Sequence, residues 1–187
     1  MPPIVAHFRT HLRQAAIAGC AALFLIPSVA CATDSLDISI GLRILLLMKE
    51  KYTGGPVPVA VVYNSAVPSS IADAENIKKS IEQGKGVPEE LKFSPYLVSL
   101  DHADKLSGAK VAFLADNLTV DGVSSVCDTA GREGILTISS NISCVRANKC
   151  VVGIISKPRI EIYYSPVAAE ASHLTFSSAF IMLVKPI

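Results

Sequence analysis

The sequence predicts a single three-layer α/β domain: a mainly parallel sheet with helices on both faces, closed by a C-terminal antiparallel hairpin and a last helix. Three observations lead there. Half of the 187 residues are hydrophobic and the net charge is only +1, so the chain can bury one sizeable core. Between Leu36 and Ser139, stretches of helical spacing alternate with short runs of apolar and β-branched residues, the order that right-handed β-α-β crossovers require. Past Val151, only Lys157 and Pro158 separate two apolar runs. That gap is too short for a crossover, so those two strands must be antiparallel neighbours at the sheet edge.

Taken in order, Leu36 to Tyr52 is predicted as a helix, with Leu42, Leu45 and Leu46 on a broad apolar face and Gly54, Gly55 and Pro56 as its stop. Val57 to Tyr63 has no polar alternation and suits a strand buried on both sides. Pro68 opens a second helix in which Ile71, Ala74, Ile77 and Ile81 recur at helical spacing, ended by Gly84 and Gly86. Phe93 to Leu100 is the second strand, Asp101 to Leu106 a helical turn, and Lys110 to Leu114 the third strand. Thr119 to Ala130 is a helix weakened by Gly122, and Ile135 to Ser139 a fourth strand. Cys144 and Cys150 bracket a short polar loop, Val151 to Ser156 and Arg159 to Tyr164 form the hairpin, and Ala168 to Val184 the closing helix. Its residues Phe176, Phe180, Ile181, Leu183 and Val184 make a large apolar surface, which core packing would consume.

The N-terminus has the three-part form of a secretory signal. Arg9 and Arg13 give a basic region, Ala15 to Ile26 an apolar one, and Ala30-Cys31-Ala32 a small-x-small cleavage site, so residues 1–32 are expected to be removed and the mature domain to span 33–187. The rival reading is a lipoprotein acylated on Cys31; Ser28 stands where an aliphatic residue is usual and disfavours it. The apolar run is also shorter than the ~20 residues that span a bilayer. The expected location is therefore periplasmic. In an oxidising compartment Cys144 and Cys150 are the natural disulfide pair, closing so short a loop for a gain of about 2 kcal/mol. Cys127 is left over, to be read either as a buried small hydrophobe or as an intermolecular disulfide partner.

No catalytic fingerprint is present: there is no G-x-S-x-G elbow, Walker loop, G-x-G-x-x-G turn or H-E-x-x-H helix. A non-enzymatic protein without metal or cofactor is expected. Lys+Arg at 17 against Asp+Glu at 16, with no Trp, gives no basic face for nucleic acid. Asp101-His102-Ala103-Asp104 puts metal-ligand types together, but Asp101 follows a strand and precedes a helical turn, where an Asp caps backbone N–H groups. The Cys144–Cys150 spacing is not the C-x-x-C of a thiol oxidoreductase. Open parallel sheets bind ligands beyond the carboxyl ends of their strands. Here those ends hold Asn64, Ser65, Asp101, Asp116 and Asn117.

The C-terminal third resembles the YfiR-like family of exported bacterial proteins, through Gly134-Ile-Leu-Thr-Ile-Ser, the Cys144 and Cys150 pair, Arg159-Ile-Glu-Ile-Tyr, Ala168-Ala-Glu-Ala and Phe176-Ser-Ser-Ala-Phe. The chain departs from the family's aromatic Trp-Pro segment, having no Trp and Gly54-Gly55-Pro56 after the first helix. The resemblance implies a periplasmic regulator, often a homodimer, that binds the periplasmic part of a membrane sensor and represses a diguanylate cyclase in cyclic-di-GMP signalling. The residue-level features of the resemblance stop at the disulfide. A small-ligand-binding protein related to solute receptors is the alternative.

Overall fold

A computed structural model describes residues 33–187 apart from Lys51, Thr53, Lys85, Val87 and Pro88; residues 1–32, where a secretory signal is expected and which hold Cys20 and Cys31, lie outside the described residues. The domain is a seven-stranded sheet in the order β2-β1-β3-β4-β5-β6-β7. Its strands are β1 (Val57–Tyr63), β2 (Phe93–Ser99), β3 (Val111–Leu114), β4 (Leu136–Ser139), β5 (Val152–Ile155), β6 (Glu161–Tyr164) and β7 (Lys185–Pro186). β1 to β5 run parallel, β6 is antiparallel to β5, and β7 runs parallel to β6. The predicted fold class is what is observed.

Helices cover both faces because the chain leaves β1 in two directions. It moves outward to β2 through α2 (Pro68–Glu82), then returns across β1 to β3 and continues through α3 (Ser124–Glu133) and α4 (Ile142–Arg146). Right-handed crossovers in opposite directions place their helices on opposite faces. Side chains of alternate strand residues then enter two cores. Val59, Val61, Val111, Phe113, Leu136 and Ile138 pack with α1 (Ser35–Ile44), α2 and the C-terminal segment. Ala60, Val62, Ala112 and Leu114 pack with Val126, Cys127, Ala130 and the Cys144–Cys150 bridge.

Local chemistry sets the ends of these elements. Asp34 caps α1 by accepting from Leu36 N, Pro68 occupies the first turn of α2, and Gly134 closes α3 in the left-handed conformation at φ 66°. Pro58 sits inside a central strand, where its carbonyl accepts from Lys110 N at 3.0 Å on the β3 side, and its nitrogen lies just before the paired register with β3, which starts at Val59. Its missing N–H therefore disrupts no ladder. Pro95 is tolerated because β2 is an edge.

Four expectations are corrected. The first helix stops early, at Ile44 with a 3-10 turn Leu45–Leu47, and the closing helix is two short ones, α5 (Pro166–Ala171) and α6 (Ser178–Leu183). Both breaks have one cause. Lys49 N donates to Thr175 O at 3.0 Å, Ser177 N donates to Leu47 O at 2.8 Å, and Met48 forms a β-bridge with Phe176, so the two segments bond to each other instead of continuing as helices. The loop between the cysteines begins inside α4, with Val145 and Arg146 helical and Ala147 to Lys149 making the turn. The hairpin strand β6 is not the sheet edge, because β7 adds beside it, with Ile187 N donating to Tyr164 O.

The apolar surface expected of the closing segment divides. Phe176 and Phe180 are buried, stack at 4.3 Å between ring centroids, and each meets the Tyr164 ring edge-on. Ile181, Met182 and Leu183 point outward, Met182 being 81% exposed.

Candidate functional site

The strand order 2-1-3 creates a topological switch point at the carboxyl ends of β1 and β3, where most of the predicted site residues lie. Asn64 and Ser65 follow β1, Asp116 and Asn117 follow β3, and Asp101 lies past the end of β2. The structure sorts them into two clusters.

At the β1 and β2 ends, Asp101 Oδ2 accepts from Ser65 Oγ at 3.0 Å and from Ser99 Oγ at 3.1 Å. Asp101 is thus not the cap that its position suggested: Ser99 caps the 3-10 segment Leu100–Leu106 by accepting from Asp101 N. His102 and Asp104 are exposed. Asn64 turns its side chain inward to its own loop, accepting from Ala66 N, while Ser70 Oγ accepts from Asn64 N.

The β3 and β4 ends hold the second cluster, which reaches residues the sequence did not single out. Asp116 Oδ1 accepts from Ser140 Oγ at 2.6 Å, and Asp116 N donates to Asp73 Oδ2 at 2.8 Å. Asp73, on α2, is buried and also accepts from Thr33 N at 2.7 Å and from Thr33 Oγ1 at 2.8 Å. Asp37, on α1, is only 8% exposed, and its Oδ1 has no hydrogen-bond partner among the described residues. Burial pushes the Asp37 and Asp116 carboxyls above the ordinary range, with Asp34 and Asp116 raising Asp37 further and Asp73 raising Asp116. Asn117 is exposed beside Asp116, in the left-handed region at φ 62°.

A signal for Asp73 and Asp37 was available. The buried stripe of α2 is Ser70, Asp73, Ala74, Ile77 and Ile81, while Ile71, assigned to it from spacing, is 37% exposed. A carboxylate inside an apolar stripe is costly unless something satisfies it, so its place in the helical period is enough to mark the position.

Two open cavities flank this framework. One of about 520 Å³ begins at Thr33 and Asp34 and runs along α2 past Asn76, Lys79 and Gln83. The Asp34 carboxyl is held below its usual range by the Leu36 N–H and by Lys157, 2.6 Å away. The groove therefore carries anionic and cationic groups together. The other, of about 410 Å³, lies on the far side between α3 and α5, with Cys127, Arg132, Lys149 and His173 in its walls.

The Cys144–Cys150 disulfide is present, with a Cα separation of 5.4 Å. Cys127 is a free, buried thiol packed in the second core, and burial pushes it up to about 12. Its sulfur lies within 4.8 Å of both bridged sulfurs, a grouping of three metal-ligand types among the described residues. The bridge occupies two of the three thiols, so the arrangement is a staple with a packed neighbour.

No family model matches the chain, and no curated protein does. Solved structures share the fold. The ABC domain in complex with L-Trp from Streptococcus pneumonia superposes with a TM-score of 0.57 at 10% identity, covering 80% of this chain and 61% of that one. A conserved domain protein from Vibrio cholerae O1 biovar eltor gives 0.55 at 13% identity, covering 81% and 59%. The chain thus spans less than two thirds of either relative's length. At these identities the likeness is one of fold.

Proposed function

We propose that the chain is an exported, non-enzymatic binding domain that takes a small polar ligand in the groove beginning at Thr33. The observation that carries this is the groove itself: about 520 Å³, within the size range of small-molecule sites, with the Asp34 carboxylate and the Lys79 ammonium on its walls. Walls of both charges suit a zwitterion. An α-amino acid is the natural first class, and the Streptococcus structure that shares the fold was solved in complex with one, L-Trp. Support for export comes from the leader-like N-terminus and the disulfide.

A thermal-shift screen of the mature protein against the twenty L-amino acids tests the proposal. At hundredfold excess over Kd a bound ligand raises Tm by about 5–10 °C, and Lys79→Ala or Asn76→Ala should abolish the rise while leaving the unliganded Tm in place. A flat response across the panel counts against the reading.

A second reading rests on a different surface. Ile181, Met182, Leu183 and Ile187 are exposed together at the sheet's last edge, as apolar side chains that a protein partner would cover. With the C-terminal resemblance to YfiR-like proteins, this supports a periplasmic regulator that binds a membrane sensor or diguanylate cyclase. Membrane pull-down with the wild type and with Met182→Asp/Leu183→Asp distinguishes it: a sensor protein retained by the first and lost by the second supports regulation. Equal recovery by both removes the surface from consideration.

A further inference from the structure

Among the described residues no ion pair reaches Asp73, the carboxylate that holds Thr33, and the chain can supply the cation by being cut. Asp73 is buried at 5% exposure and appears in none of the ion pairs among the described residues; its three hydrogen-bond donors are two backbone N–H groups and a hydroxyl. Asp37 is also buried, has an unpartnered oxygen, and shares with Thr33 a small cavity of about 10 Å³. Asp116 completes the group through its backbone bond to Asp73. Buried charges without opposite partners are costly, and three carboxylates in one neighbourhood repel one another. Of the neighbouring cations, Lys157 is paired with Asp34 and Lys79 lines the open groove.

We propose that the peptide bond between Ala32 and Thr33 is the processing site of this protein, and that the new α-ammonium of Thr33 becomes a structural cation, ion-paired with Asp73 and facing Asp37. The Thr33 nitrogen already stands 2.7 Å from Asp73 Oδ1, donating its one amide hydrogen. Hydrolysis of the amide by a leader-removing protease consumes one water. It leaves a carboxylate on Ala32 and an amine on Thr33 that takes up the proton, so the same nitrogen gains two further N–H donors and a full positive charge. The Thr33 hydroxyl, held by Asp73 Oδ2 at 2.8 Å, fixes the residue in register. Charge-assisted bonds of this kind are about twice as strong as neutral ones. The mature chain is thereby completed by its own N-terminus, and the precursor is the less stable form.

The inference rests on the export reading, and one experiment separates the two. The full chain is expressed in an exporting bacterium, the secreted species is weighed intact, and its α-amine is titrated by ¹³C-methylation NMR. The mass should begin at Thr33, and the amine should titrate above about 9, against about 7.7–8.0 for an ordinary α-amino group. Asp73→Asn should return it toward the ordinary value. Because that variant could lose stability, wild-type protein with the α-amine acetylated provides an independent comparison. It should melt lower at about pH 7, by about 2–6 °C, with the gap closing as pH rises past the amine's own titration. A retained leader, or a mass beginning elsewhere, overturns processing at this bond. A start at Thr33 with an amine titrating near 8, and no effect of acetylation, overturns the ion pair.

Discussion

Gly41 of α1 lies directly under the ring of Phe113 in β3: a Cβ at this glycine would come within 2.8 Å of Phe113 Cε1 and 3.2 Å of Ile138 Cδ1. The helix is therefore seated on the sheet at a distance that only a hydrogen at this position permits. Phe113 is 2% exposed and cannot swing into solvent. Gly41→Val should destabilise the protein by about 1–3 kcal/mol through overpacking, although Gly is the poorer helix former by about 0.4 kcal/mol. Urea unfolding checks this; an unchanged midpoint would mean that α1 can lift off the sheet at no cost.

The aromatic cluster supplies a contrast within one helix. Phe180 is 1% exposed between Tyr164 and Phe176, so Phe180→Ala should cost about 3–5 kcal/mol. Met182, two residues on and 81% exposed, should tolerate alanine within about 0.5 kcal/mol. Comparable losses at both sites in denaturant titrations would show that α6 packs differently in solution.

Replacing both bridged cysteines, Cys144→Ala/Cys150→Ala, should lower stability by about 2 kcal/mol, the chain-entropy value for a bridge of sequence separation 6. The Cys127 thiol should meanwhile resist maleimide in the native protein at neutral pH, because burial keeps it protonated. Mass spectrometry after labelling reads this, and rapid modification without unfolding would contradict the packed position.

Glu161 gives a pH dependence with a definite sign. Its carboxyl is lowered to about 2, chiefly by the Tyr163 hydroxyl and then by Lys185 and Arg159, which holds Nε 2.6 Å away. A carboxyl depressed on folding stabilises the protein above its unfolded value, and that contribution fades as pH falls through the folded one. Wild type should therefore lose Tm relative to Glu161→Gln between about pH 4.5 and 2, and the two curves should converge at the acid end. Parallel curves over that range would mean that the cluster around Glu161 does not persist in solution.

Much of this architecture is legible in the sequence. Four β-α alternations, the two-residue gap at Lys157 and Pro158 and the close spacing of two cysteines are local patterns, and they lead in turn to the parallel sheet, the antiparallel pair and the Cys144–Cys150 bridge. The helix ends are less so. Nothing near Leu47 announces that its carbonyl will be claimed by Ser177, 130 positions away, and that bond breaks both the first helix and the last. The candidate site divides along the same line. Asn64, Ser65, Asp101, Asp116 and Asn117 can be named from strand ends alone, whereas Thr33 and Ser140 acquire meaning only from partners distant in the chain.

By itself, then, the sequence determined the class of fold, the strand directions, the disulfide and the rim of the switch point, because each follows from hydrophobic period, loop length or cysteine spacing. Tertiary structure alone decided which carboxylates meet. Asp37 on α1, Asp73 on α2 and Asp116 after β3 gather around Thr33 only when the chain crosses from β2 back over β1 to β3. Electrostatic energy depends on distance through space, and no spacing along the chain records it.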